Sequence, residues 1–169
     1  MGTLFMAMTA WFGYGIGWGK PVLTNHSRMK NPRWDSLFVA LAGPVSNFAQ
    51  ASVFAIILRL MINSGSISSD PLGSNAQLLP AFLFLGLFIN LALCFFNLLP
   101  LGPLDGHWIV GAFMDDKTRH AWFAFNRGPG ALIFIVLVLL PAPFDILSQI
   151  YGPVVSFFAA FMLGIPINI

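Results

Sequence analysis

The 169-residue chain contains no glutamate; Asp35, Asp70, Asp105, Asp115, Asp116 and Asp145 are its six acidic residues. Any chemistry that needs a glutamate as acid, base or metal ligand is excluded from these residues. Charge is scarce altogether, at 8% of the sequence, where a soluble domain carries roughly a quarter. That is too little to cover a water-facing surface. The one cysteine, Cys94, sits in an apolar run, so disulfides and cysteine-rich zinc sites are excluded as well. A net charge of +2 is too modest to suggest nucleic acid as a partner. What is abundant is apolar: 57% of residues are hydrophobic and 15% aromatic. This is the composition of a protein dissolved in lipid.

A helix crossing the hydrocarbon needs about 20 predominantly apolar residues. Ser36 to Ile62 provides one, charged only at Arg59 near its far end, from where a long side chain reaches the headgroups. Leu78 to Leu99 provides a second, without any charge. Thr3 to Trp18 is apolar, short and glycine-rich, with Trp11, Tyr14 and Trp18 suited to an interfacial belt. It lacks the basic leader and cleavage site of a signal peptide and reads as mature structure. Ala131 to Leu140 and Tyr151 to Ile167 flank a break at Pro141 and Pro143. They read either as a tight hairpin of two short spans or as one span plus a re-entrant or interfacial helix. The sequence thus predicts an all-α polytopic membrane bundle of about four to five hydrophobic segments, in one domain over residues 1–169.

Basic residues set the orientation. Lys20, Arg28, Lys30 and Arg33 share one connection and Lys117, Arg119 and Arg127 another, while Asn63 to Gln77 has neither Lys nor Arg. By the positive-inside rule residues 19–35 and 100–128 face the cytoplasm and the loop between the two long spans faces outward. The expected location is the cytoplasmic membrane of a prokaryote. The expected partners are the lipid bilayer and other membrane proteins, as substrates or assembly partners.

The informative residues are polar ones inside the spans. Gly43, Asn47 and Gln50 fall at i, i+4 and i+7 of the first helix, on one face; Asn90 and Asn97 share a face of the second. Amides in lipid turn toward another helix or a wet cavity. The bland account of them is interhelical glue, worth roughly 0.6–2 kcal/mol per bond. Beyond Asn97 come Pro100 and Pro103, which remove backbone donors and stop the helix, and then Asp105. Read alone, Asp105 is either solvated at the cytoplasmic mouth or buried beside a cation.

Three segments occur in order: Gly17-Trp-Gly-Lys-Pro-Val22; Asn31-Pro-Arg33 leading to Leu41-Ala-Gly-Pro-Val-Ser-Asn47; and Asn97-Leu-Leu-Pro-Leu-Gly-Pro-Leu-Asp105-Gly106. From about Trp11 to about Val110 the chain resembles the site-2 protease family of intramembrane zinc metallopeptidases. The resemblance implies a membrane-buried zinc site that cuts transmembrane or membrane-adjacent peptides. It implies that Asp105 is the distant third metal ligand, beside two histidines of an H-E-x-x-H helix. It also implies that Asn47 and Asn97 line the same cleft and help hold substrate or transition state. Three protein ligands and an open fourth position let a zinc-bound water become nucleophilic near neutral pH.

The departure is in the helix that is missing. Two histidines four apart meet one metal from one helical face, and His26, His107 and His120 form no such pair. In the family that helix precedes the Gly-Trp-x-Lys-Pro-Val segment, so it would lie before Met1. The expectation is that these residues alone are inactive and hold no stoichiometric zinc, unless another chain supplies the ligands. The alternative is a non-catalytic structural or partner-binding subunit of a larger membrane assembly. A replacement site from Asp105, His107 and His26 is the minor reading. Against it, His107 reads as an interfacial side chain and His26 and His120 as cytoplasmic loop residues. Gly13-Tyr-Gly-Ile-Gly lacks the Lys-Ser/Thr and the strand–helix setting of a phosphate loop. The 18 phenylalanines belong to lipid-facing or packing surfaces. The Lys20 to Arg33 loop sets topology, with contact to anionic lipid a lesser role.

Overall fold

The computed structural model describes residues 29–67, 77–139 and 146–165. By internal contacts the chain divides into Met1–Pro32 and Arg33–Ile169; the fold below is that of the second unit. Thr3–Trp18, Lys20, His26, Arg28, Asp70 and the Pro141–Pro143 break lie outside the described residues.

Among the described residues there are six helices and no strand: α1 Pro32–Asn63, α2 Leu78–Asn97, α3 Gly106–Ala112, α4 Asp116–Arg127, α5 Pro129–Leu139 and α6 Ile146–Leu163. Pro32 and Pro129 open their helices and Pro80 sits in the first turn of α2, where a missing N–H costs nothing. Pro44 and Pro153 lie inside α1 and α6. α1 and α2 are long and apolar enough to cross a membrane. The 32 residues of α1 rise about 48 Å at 1.5 Å each, more than the hydrocarbon needs, so α1 tilts or projects beyond it. α4 and α5 meet at a 44° bend and together form a third candidate span. Two or three of the expected segments are thus present in the described residues.

The core is a seam of three helical stripes: Ala51, Ala55 and Leu58 of α1, Leu83, Leu87 and Leu91 of α2, and Val155, Ala159 and Leu163 of α6. Each stripe repeats every three or four residues, the period of one helix face. Lipid tails are as apolar as leucine, so the gain here is close packing rather than escape from water. The alanines permit that closeness. So does Gly86, where a β-carbon would lie 2.8 Å from the Phe54 ring. Phe38, Val45, Leu60, Phe82, Phe157 and Phe161 stay exposed, as lipid-facing residues do.

Polar side chains of the apolar helices turn back on their own backbone. Asn90 Nδ2 donates to Gly86 O and Asn97 Nδ2 to Leu93 O, both at 2.8 Å. Ser46 donates to Gly43 O, Ser52 to Phe48 O and Ser156 to Gly152 O. These amide donors are therefore not the interhelical glue expected of them. Arg59 does bridge helices: its Nη1 donates to Met162 O at 3.4 Å, in the last turn of α6. A cation there offsets the partial negative charge of the helix end.

Candidate functional site

The segment between α2 and α3 is made by its prolines and glycines. After Asn97 the chain turns tightly, with Leu101 N donating to Leu99 O at 2.8 Å and Leu104 N to Leu101 O at 2.9 Å. This folds Gly106 back against the end of α2. A β-carbon on Gly106 would lie 2.3 Å from Leu98 O and 2.2 Å from Leu99 O, so only glycine fits after Asp105. Leu104 is buried under the turn.

Asp105 occupies the N-cap position of α3, yet its carboxylate makes no capping bond. That oxygen lies elsewhere: a β-carbon on Gly43 would sit 3.0 Å from Asp105 Oδ2. The Gly-Pro-x-x-Asn helix and the Asp-Gly turn are therefore in contact through these two residues. Asn47 lies one turn beyond Gly43 on α1 and is half-buried, as are Asn97 and Asp105. Burial raises the Asp105 carboxyl above its ordinary value, with nearby His107 acting in the opposite direction.

His107 is not the interfacial side chain that the sequence suggested. It is 8% exposed, with its Nδ1 on the Leu104 carbonyl and its ring near Trp108 and against the edge of Phe123. Burial lowers its pKa, outweighing the opposing Leu104 carbonyl and Asp105 charge. The reason is local: the Gly106 turn starts a helix that carries position 107 inward. His120 lies on α4 rather than in a loop, exposed, with Nδ1 on Asp116 O at 2.6 Å.

Two supports escaped the sequence reading. Arg33 donates through Nε to Ala112 O at 2.6 Å and through Nη2 to Met114 O, and lies 4.0 Å from Asp116. It clasps the end of α3 to the start of α1. On α4, Trp122 Nε1 donates to His107 O at 2.8 Å, and Asn126 Oδ1 accepts from Gly102 N at 2.7 Å. Arg33 was visible as part of a motif but read only as charge. Trp122 and Asn126 stand in a connection read by its basic residues; their four-residue spacing puts them on one helix face but does not say what that face meets.

A catalytic zinc needs three protein ligands. Among the described residues no three His, Cys, Asp or Glu side chains gather; Asp105 stands with a histidine whose Nδ1 is held by a backbone carbonyl. The donor set present does not by itself fit the metal, and His26 lies outside the described residues.

Helices of membrane length, a proline-broken turn and an aspartate packed on the Gly-Pro-x-x-Asn helix fit the class that the motifs resemble, that of the intramembrane site-2 proteases. The family model for peptidase family M50 matches residues 17–141, and the chain belongs to that family. It is 35% identical over 127 residues to the Bacillus subtilis (strain 168) protein named "Putative zinc metalloprotease YwhC". The match covers 75% of this chain and 56% of the relative, so the chain spans little more than half of that protein's length. No solved structure matches it. Zinc is expected of the family.

Proposed function

We propose that these residues form the aspartate-bearing wall of a site-2-protease-type cleft that cuts membrane-embedded peptides. In this reading Asp105 is a metal ligand, and Asn47 and Asn97 line the path of the substrate. The histidine pair and the general base come from residues outside these 169. The single observation that supports the reading is the approach of Gly43 to Asp105 Oδ2. A carboxylate left out of its own helix cap and set against a glycine has a face free for a ligand. The cytoplasmic membrane of a prokaryote is the proposed location, with residues 19–35 and 100–128 on the cytoplasmic side and one membrane domain over 1–169.

A second reading rests on the complete lack of glutamate: a non-catalytic homologue kept as a subunit of a membrane assembly. One experiment separates the two. Protein purified from its native membranes is assayed for zinc by mass spectrometry and for cleavage of a transmembrane peptide, as the parent and as Asp105→Asn. The protease reading expects about one zinc per site and cleavage, both lost in the variant. Zinc and cleavage that survive Asp105→Asn would remove Asp105 from the site. Native protein with neither zinc nor cleavage would leave the subunit reading in place.

A further inference from the structure

We propose that Trp122 and Asn126 of α4 are positioning residues for Asp105, gripping its loop on both sides. The proposal deepens the cleft reading above and rests on it for its functional meaning, but the geometry stands independently. Four residues apart, the two side chains share one face of α4. Asn126 takes the backbone N–H of Gly102, three residues before Asp105, and Trp122 takes the carbonyl of His107, two residues after it.

The grip is close on both sides. Asn126 is 3% exposed and uses both ends of its amide, since Nδ2 donates to Trp122 O at 3.0 Å. A β-carbon on Gly102 would lie 2.6 Å from Asn126 O, so the loop backbone rests directly on the α4 backbone. The indole of Trp122 reaches across 15 residues of sequence and the amide of Asn126 across 24. Between these anchors, Leu104 is buried and the Asp105 carboxylate is committed to no capping bond. Without a cap of its own, the aspartate is oriented by what holds its backbone. A ligand must be fixed to within roughly 0.5 Å to serve a metal or a reacting group, and outer-shell groups normally do the fixing. Here α4 supplies them.

The test reads position directly. Gly43→Cys and Asp105→Cys are combined in the full chain with Cys94→Ala, and the 43/105 pair is joined with a short thiol crosslinker in native membranes. A second pair, Phe95→Cys with Phe158→Cys, reports on the apolar core, where those rings lie 4.9 Å apart. Trp122→Phe removes the indole donor and keeps an aromatic ring; Asn126→Ala removes the acceptor. Each is expected to lower the 43/105 yield about tenfold, the effect of one buried donor or acceptor left unpaired, with the 95/158 yield unchanged. A parent that crosslinks at 43/105 with variants at parental yield would overturn the positioning role while leaving the cleft reading intact. Loss of both pairs in both variants would also overturn it, making these residues supports of the whole fold. Failure of the parent itself to crosslink at 43/105 would instead remove the juxtaposition on which the cleft reading stands.

Discussion

Asp115 caps α4 with one oxygen, Oδ1, which accepts from Lys117 N and Thr118 N at 3.1 Å. A hydrogen bond from the Thr118 side chain first, and then the backbone bonds from Thr118 and Lys117, hold its carboxyl below the ordinary aspartate range. A carboxylate whose folded pKa is depressed contributes above its unfolded value and loses that contribution as pH falls through the folded one. Protection of the Lys117 and Thr118 amides from hydrogen exchange, taken relative to the intrinsic rate at each pH, should therefore hold from neutral pH down past about 3.9, the ordinary value, and fall below it. Asp115→Asn, still a good cap, should remove the pH dependence, whereas Asp115→Ala should quicken both amides at every pH. At this scale the sequence was informative where a residue belongs to a motif: Asp105, Gly106 and Gly43 were all visible in it. It misjudged His107, because a polar residue beside a turn reads as wet until the turn's direction is known.

The two long spans were legible almost to their ends, since twenty or more apolar residues admit one answer in lipid. The first runs from Pro32 to Asn63, where Ser36 to Ile62 was expected, and the second ends at Asn97 rather than Leu99. The last helix begins at Ile146 rather than Tyr151 and carries Pro153 in its interior, showing that one lost donor does not stop an apolar helix. The turn between α2 and α3 owes its shape to Gly106, whose position leaves no room for a side chain. Gly106→Ala must move backbone atoms now 2.2 and 2.3 Å from the added carbon, at a cost of about 2–4 kcal/mol. The measurement is thermal unfolding in detergent, with an expected fall in the midpoint. Gly43→Ala should cost less than half as much, because the 3.0 Å neighbour there is a side-chain oxygen able to rotate; an equal loss at both positions would contradict this ranking.

For the whole molecule, the lysine and arginine distribution predicts topology directly. Reporter fusions at Asn75 should read as outside the cytoplasm, and fusions at Arg28 or Lys117 as inside. A cytoplasmic signal at Asn75 would overturn the assignment of α1 and α2 as successive spans. The support given to Asp105 by α4 was not legible, for a physical reason. Side chain to backbone bonds over 15 and 24 residues leave no period in the sequence, and hydropathy sees only the basic character of that stretch.

The side-chain donors of Ser46, Ser52, Asn90, Asn97 and Ser156 find their acceptors one turn back along their own helices. On α1 and α2 these particular donors are therefore already satisfied when the segment leaves the translocon, with no wait for a neighbour to be synthesised, whereas Arg59 finds its acceptor on the later α6. Partition into the bilayer and association between helices become separate events. A substitution that weakens the seam, such as Leu87→Ala, should then leave membrane insertion of the nascent chain untouched while loosening the assembled bundle.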